Sequence, residues 1–195
     1  MEIYTPRIMK ESAQGFAAFT LEDEMFANRE IQLTSEVNHE QAAALVNQLI
    51  CLAREDRERP ITLYINSPGG IVSEGMTIFD MMKAVPCPIH TVCTGMAASM
   101  AALIFAVGDR RYMLPHSTVM VHEPFVTQTG GNMFDLKNRT ESLQRMRENY
   151  CRILSERSGR PIEKVYEALH NETYFTPQEA IEFGLCDEIL EKINL

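Results

Sequence analysis

Ser99 and His122 are the side chains whose residue types would do nucleophilic chemistry at neutral pH. Ser99 lies in Gly95-Met96-Ala97-Ala98-Ser99-Met100, among small residues that leave its hydroxyl open to approach. His122 lies in Met120-Val121-His122-Glu123-Pro124, where the proline forces the chain off a strand and leaves the imidazole at a sheet edge. An imidazole that titrates near neutrality can take a serine's proton and turn the hydroxyl into a nucleophile. The turn Ser67-Pro68-Gly69-Gly70 offers unhindered backbone N–H groups to an anion, as a phosphate cradle or as half of an oxyanion hole. The phosphate use is the weaker, because neither G-x-x-x-x-G-K-[ST] nor G-x-G-x-x-G is present. Each feature also has a plainer reading: Ser99 as a helix cap, His122 as a histidine bonded to backbone, and the glycine pair as a tight turn. Ser67, Ser73 and Ser99 with His90, His116 and His122 allow many pairings, and spacing does not choose among them. G-x-S-x-G, the usual α/β-hydrolase signature, is absent.

The elements that must hold these residues alternate. Asn38 caps a helix whose apolar face is Ala42, Leu45, Val46, Leu49 and Leu52, ending between Arg54 and Arg59. Pro60 precedes a buried strand, Ile61 to Asn66, which runs into the glycine turn. Val72 to Lys83 reads as helix and Ile89 to Cys93 as strand, with a second turn at Gly95 and a buried helix from Ala97 to Val107. Short strands follow at Arg111 to Met113 and Thr118 to His122. A long helix starts at Asn132, with Asp135 three residues on, and stops at Ser158-Gly159; its near-heptad apolar stripe suits either an ordinary surface helix or a contact with another subunit. Thr176-Pro177-Gln178-Glu179 opens a last helix ended by Gly184, and Ile189-Leu190 adds a strand. This alternation implies an α/β domain with parallel crossovers. Residues 1–28 read as an arm or loop outside the core, and 29–195 as one domain.

The 195 residues suffice for one domain with a sizeable core, since 45% are hydrophobic. A net charge of −9, from 27 acidic and 18 basic residues, argues against nucleic acid and against an anionic membrane surface. The longest apolar stretch, Met96 to Val107, falls short of the roughly 20 residues that span a bilayer. The N-terminus shows no signal-peptide pattern, so a cytoplasmic location is expected. The five cysteines form no C-x-x-C pair and fit a reducing compartment, mostly as small buried hydrophobes. No H-x-x-x-H or cysteine pair suggests a metal site, and no cofactor is expected.

Four segments in order carry a family resemblance: Leu63 to Gly70, Gly95 to Met100, Leu114-Pro115-His116-Ser117 with Met120 to Pro124, and Glu179-Ala180 with Gly184-Leu185. Together they resemble the Clp protease proteolytic subunits (ClpP) over roughly Arg29 to Leu190. The resemblance implies a ClpP/crotonase-type fold of repeated strand-strand-helix units with a protruding handle, here about residues 124–158. It also implies stacked heptameric rings around a proteolytic chamber that degrades unfolded proteins to short peptides. An AAA+ unfoldase of the Clp type would feed that chamber and would be the only user of ATP. By position, the resemblance makes Ser99 the nucleophile, His122 the general base and then acid, and the N–H groups of Gly70 and Met100 the oxyanion hole. It puts Tyr64, Tyr112 and Leu190 in the unfoldase-docking cleft.

The chain departs from the family pattern at the third triad member. The family's aspartate falls on Glu172, with Asn171 beside it where an arginine is usual; Glu172 is the expected carboxylate and Asn171 the less favoured substitute. Val126-Thr127 replaces a common glycine pair, with Gly130-Gly131 following later, and Thr62 and Ala84 occupy docking positions that are often aromatic. Three readings compete: an active serine peptidase; a weakly active or non-catalytic subunit of a ring shared with a sister ClpP subunit; and a crotonase-like acyl-CoA enzyme, which would need neither Ser99 nor His122 at these positions.

Overall fold

β-Branched runs separated by short helices resolve into one mostly parallel sheet. A computed structural model describes residues 6–12, 15–125 and 131–193, so Val126, Thr127 and Gly130 lie outside the described residues. In chain order the elements are β1 (Ile8–Ser12), β2 (Gly15–Phe19), α1 (Leu21–Ala27), β3 (Glu30–Leu33), α2 (His39–Glu55), β4 (Ile61–Ser67), α3 (Val72–Ala84), β5 (Ile89–Ala98), α4 (Met100–Ala106), β6 (Arg110–Met113), β7 (Thr118–Val121), α5 (Met133–Ser158), α6 (Ile162–His170), β8 (Thr173–Phe175), α7 (Pro177–Phe183) and β9 (Glu188–Ile189). β3-β4-β5-β6-β9 form a parallel path, while β7 pairs parallel with β5 and antiparallel with β8. The first half of β5 lies against β6, and its last residues, Met96 to Ala98, lie against β7. That fork carries β5 past the body of the sheet and ends it at Ser99.

Gly95 does not make the turn expected of it. β5 continues through Gly95 to Ala98, and α4 begins only at Met100. The β4–β5 register jumps from Ile65↔Cys93 to Ser67↔Ala97, a bulge in which β5 carries the extra residues. A Cβ at Gly95 would lie 2.5 Å from Asn66 Oδ1, which accepts a hydrogen bond from the Met96 N–H at 3.0 Å. The glycine therefore admits a close neighbour rather than reversing the chain.

Local chemistry explains the other elements. Asn38 accepts from the Gln41 N–H and starts α2, whose buried face is Ala42, Leu45, Leu49, Leu52 and Ala53. All of α4 is buried, which its Ala, Leu, Ile and Phe content permits. β3, α6 and β8 are additions to the sequence reading: β3 and β8 are too short for a clear period-two signal, and α6 begins at Pro161 without a side-chain cap. The N-terminal segment is ordered as an antiparallel β1–β2 pair forming its own sheet, followed by α1, which has a Thr20/Asp23 capping box and no buried residue but packs Phe26 against the core.

α5 starts with an Asn132/Asp135 capping box and ends at Gly159, whose φ of 69° is the left-handed conformation glycine accepts at a helix C-terminus. Its buried residues are Tyr150, Cys151, Ile153 and Leu154; further out it exposes Met133, Phe134, Leu136 and Met146. This is the protruding handle of the fold. Among the described residues, no helix is long and apolar enough to cross a membrane, and no group of His, Cys, Asp and Glu is clustered to hold a metal. All five cysteines are free, and only Cys51 is exposed.

Two arginines tie the layers together. Arg29, 2% exposed, donates to the carbonyls of Leu52, Asp56, Arg59 and Pro60, joining the end of α2 to the strand layer. Removing it would strand buried acceptors, so Arg29→Ala is expected to lower stability by about 3 kcal/mol or more, read as a shift of the urea midpoint. Arg111 grips both oxygens of Asp187 at 2.5 and 3.1 Å and fastens β6 to β9. Burial pushes the Asp187 carboxyl up, but the Arg111 bonds and charge outweigh it and leave it below the usual carboxylate range. A depressed carboxyl contributes stability that is complete above its unfolded value, about pH 4, and is lost as pH falls through the lower folded value. Asp187→Asn is therefore expected to flatten the acid side of a stability-against-pH profile.

Candidate active site

Ser99 is held in a conformation its side chain would not choose. It sits between β5 and α4 at φ 54° and ψ −120°, a region costly for a non-glycine residue. The strain is held by partners on both sides: the Ser99 N–H donates to Met120 O at 2.8 Å, and Ser99 O accepts from the buried Tyr150 hydroxyl at 2.6 Å. Although Ser99 occupies the cap position of α4, its side chain makes no capping hydrogen bond. The cap reading is therefore excluded. A sharp strand-to-helix turn presenting a half-buried hydroxyl is the geometry of a nucleophile elbow, reached here without G-x-S-x-G.

The glycine turn lies directly against this elbow. A Cβ at Gly69, where φ is +88°, would stand 2.5 Å from Ala98 O and 2.8 Å from Met100 N. Gly70, at φ +152°, leaves no room for a Cβ beside Val37, and the Val37–Gly69 and Ile71–Val37 backbone bonds fix the turn in place. The Met100 N–H opens α4, where no intrahelical acceptor exists for it. Among the described residues neither the Gly70 nor the Met100 N–H has an acceptor. The arrangement offers an oxyanion two preorganised donors beside a hydroxyl.

His122 follows β7, the strand beside β5. Ala98 pairs with Met120, so Ser99 and His122 leave the carboxyl ends of adjacent parallel strands, where sites in open α/β sheets collect. On the other side, β7 and β8 pair Met120↔Tyr174 and Val121↔Thr173, so His122 and Glu172 are the residues next beyond this last pair. Glu172 turns the chain from α6 into β8 at φ 49°. Its carboxylate accepts from the Tyr174 hydroxyl at 3.0 Å. Among the described residues no hydrogen bond joins Ser99 to His122 or His122 to Glu172; the His122 ring packs on Phe125, with centroids 5.5 Å apart. Asn171 is the C-terminal cap residue of α6, and its N–H bonds back to Glu167 and Leu169 carbonyls.

The base of α5 braces the same region. Arg147 pairs with Glu123, next to His122, at 2.7 Å and lies 4.7 Å over the Tyr166 ring. His170 Nδ1 stands 3.7 Å from the same Glu123 oxygen. Tyr150, Tyr174, Glu123 and Arg147 escaped the sequence reading. The tyrosines occupy regular helix or strand positions without a motif, and the charged pair is distant in sequence.

The structure separates the remaining candidates. Ser67 is buried, donating to Ser35 O and accepting from the Gly69 N–H, so it builds the turn. His90 lies at the opposite end of β5, edge-on to Tyr112, while Ser73 and His116 are exposed on α3 and in the β6–β7 connection. Tyr64, Tyr112 and Leu190 line one cavity of about 350 Å³ at the β3-β4-β5-β6-β9 edge, together with Val92, Glu30 and Glu188. The lateral row Tyr64↔Val92↔Tyr112↔Glu188 explains this convergence. The Tyr64 hydroxyl donates to Glu30 at 3.0 Å, and burial, then that bond, pushes its pKa up to about 12.

Among protein-family models, the one described as Clp protease matches residues 13–193.

Two substitutions test how the elbow is held. Gly69→Ala would drive a Cβ into backbone on a left-handed residue, and a loss of several kcal/mol or failure to fold is expected in thermal unfolding. Tyr150→Phe removes one buried hydrogen bond while Ser99 O retains the Ala102 N–H, so a loss of about 1–2 kcal/mol is expected in denaturant unfolding.

Proposed function

The chain belongs to the Clp protease family, which makes it a ClpP-type protease, and from that premise we propose that it is a serine endopeptidase using Ser99, His122 and Glu172. One observation carries the reading: a strained serine whose side chain makes no capping bond, at the end of the strand beside that of His122, lies against a glycine turn, and the N–H groups of Gly70 in that turn and of the following Met100 lack acceptors among the described residues.

In this mechanism Ser99 Oγ attacks a peptide carbonyl carbon and its proton passes to His122. The carbonyl oxygen gains the negative charge and is met by the Gly70 and Met100 N–H groups. His122 returns the proton to the leaving amine, and an acyl-serine remains. Water, deprotonated by His122, then attacks the acyl carbon, and collapse of the second intermediate restores Ser99 and releases the acid. Glu172 orients the imidazole and stabilises the imidazolium. The Ser99–His122 contact closes with substrate or a neighbouring subunit in place, as catalytic hydrogen bonds long in the free protein commonly do. No cofactor enters these steps.

The assembly reading extends the family's ring formation and Clp-type unfoldase partnership to this chain. The exposed apolar residues of α5 would meet another copy to stack two heptameric rings into a closed chamber. The Tyr64, Tyr112 and Leu190 cavity would receive an apolar segment of the AAA+ unfoldase, which alone spends ATP. Free thiols fit a reducing cytoplasm.

Hydrolysis of a short blocked fluorogenic peptide by the purified protein tests the chemistry. Ser99→Ala and His122→Ala are each expected to cost at least ~10³-fold in kcat, and Glu172→Gln about 10²- to 10⁴-fold. No turnover by the wild type alone, restored on mixing with a sister ClpP subunit, would instead establish a weakly active member of a mixed ring.

A further inference from the structure

Tyr174 is exposed at 56% although it is a large aromatic in a strand, so core packing does not account for it. Its hydroxyl is the hydrogen-bond partner of Glu172 Oε1. Side chains alternate along a strand, so Met120 and Tyr174 share one face of the β7–β8 pair and Val121 and Thr173 the other, while His122 follows β7 directly and Glu172 sits in the turn that enters β8. Tyr174 thus reaches Glu172 from the strand that pairs with the one His122 follows. We propose that the Tyr174 hydroxyl is a positioning group of the active site, holding one oxygen of Glu172 so that the other is directed to His122. The inference rests on the assignment of Ser99, His122 and Glu172 above.

The physical need is clear from the surroundings. Glu172 is an exposed side chain with three rotatable bonds on a left-handed backbone, and an unheld glutamate spreads over many rotamers. Tyrosine has two side-chain torsions and orders its hydroxyl at little entropic cost. A carboxylate accepts at both oxygens, so the bond to Oε1 leaves Oε2 open. The competing carboxylate, Glu123, is committed to Arg147 and lies beside His170. The bond to Glu172, followed by its charge, pushes the Tyr174 pKa up and keeps the hydroxyl a donor across the neutral range.

Steady-state peptide hydrolysis and labelling of Ser99 by a fluorophosphonate, compared across wild type, Tyr174→Phe, Glu172→Gln and the double variant, test this. Tyr174→Phe is expected to lower kcat about five- to tenfold, the scale of a partly exposed charge-assisted hydrogen bond, with KM unchanged. With Glu172 no longer held toward it the imidazolium of Tyr174→Phe is less favoured, so the acid limb of kcat/KM is expected to move to lower pH. In the Glu172→Gln background, Tyr174→Phe is expected to add nothing, a non-additivity that a packing role would not produce. Glu172→Asp, whose carboxylate is drawn back from the hydroxyl, gives a second background in which Tyr174→Phe is expected to lose its effect. Unchanged kinetics in Tyr174→Phe, a faster Tyr174→Phe, or an equal loss in the Glu172→Gln background would each overturn the inference while leaving Ser99 and His122 in place. A wild type that neither cleaves nor labels, or a Ser99→Ala variant of full activity, would overturn the active-site assignment and this inference with it.

Discussion

The arrangement depends on keeping Ser99 in a backbone conformation that L residues avoid. A lone residue at φ 54° relaxes unless its neighbours over-determine it. Here the Ser99 N–H is tied to Met120 on β7, its carbonyl to Tyr150 on α5, and its flank is filled by Gly69. Three elements distant in sequence therefore converge on one peptide. The same contacts fix the glycine turn and the start of α4 against Ser99, so the serine and the two unpaired N–H groups are held by one set of contacts.

This explains the shape of β5. A strand ending at Cys93 would deliver no residue to the far edge of the sheet. The bulge at Gly95 lets β5 leave β6 and continue against β7, which carries Ser99 next to the strand that ends at His122. β8 then joins β7 from the other side and brings Glu172 and Tyr174 to the same end. The carboxylate is reached by antiparallel pairing, the serine by parallel pairing, and β7 lies between them.

α5 serves two ends of the molecule. Its last turns are core: Tyr150 holds the elbow, and Arg147, one turn earlier, holds Glu123 beside the histidine. Its first turns expose Met133, Phe134 and Leu136 to solvent. One helix therefore carries both the residues that contact Ser99 and Glu123 and an uncovered apolar surface. The family's ring assembly gives that surface a use.

Much of this was legible in the residues. The caps at Asn38, Asn132 and Thr176, the stop at Gly159, the buried run of α4 and the glycine turn after β4 all rest on local interactions within a few positions of chain. Four ordered segments were enough to indicate the family. Local signals failed where a residue's role is set by a distant neighbour. Gly95 reads as a turn until Asn66 is seen against it, and Ser99 taken alone reads more readily as a cap until its side chain is found to make no capping bond. β8 carries too few residues to show a period, and Tyr174 becomes notable only when its hydroxyl is seen to meet Glu172. Sequence alone determined the capped helices α2, α5 and α7, their ends and the types of residue available for chemistry, because these follow from torsional preference and hydrogen bonds between near neighbours. Tertiary structure alone decided which serine is strained, which N–H groups stay unpaired and which tyrosine meets Glu172, because those follow from contacts between elements whose partners no local pattern specifies.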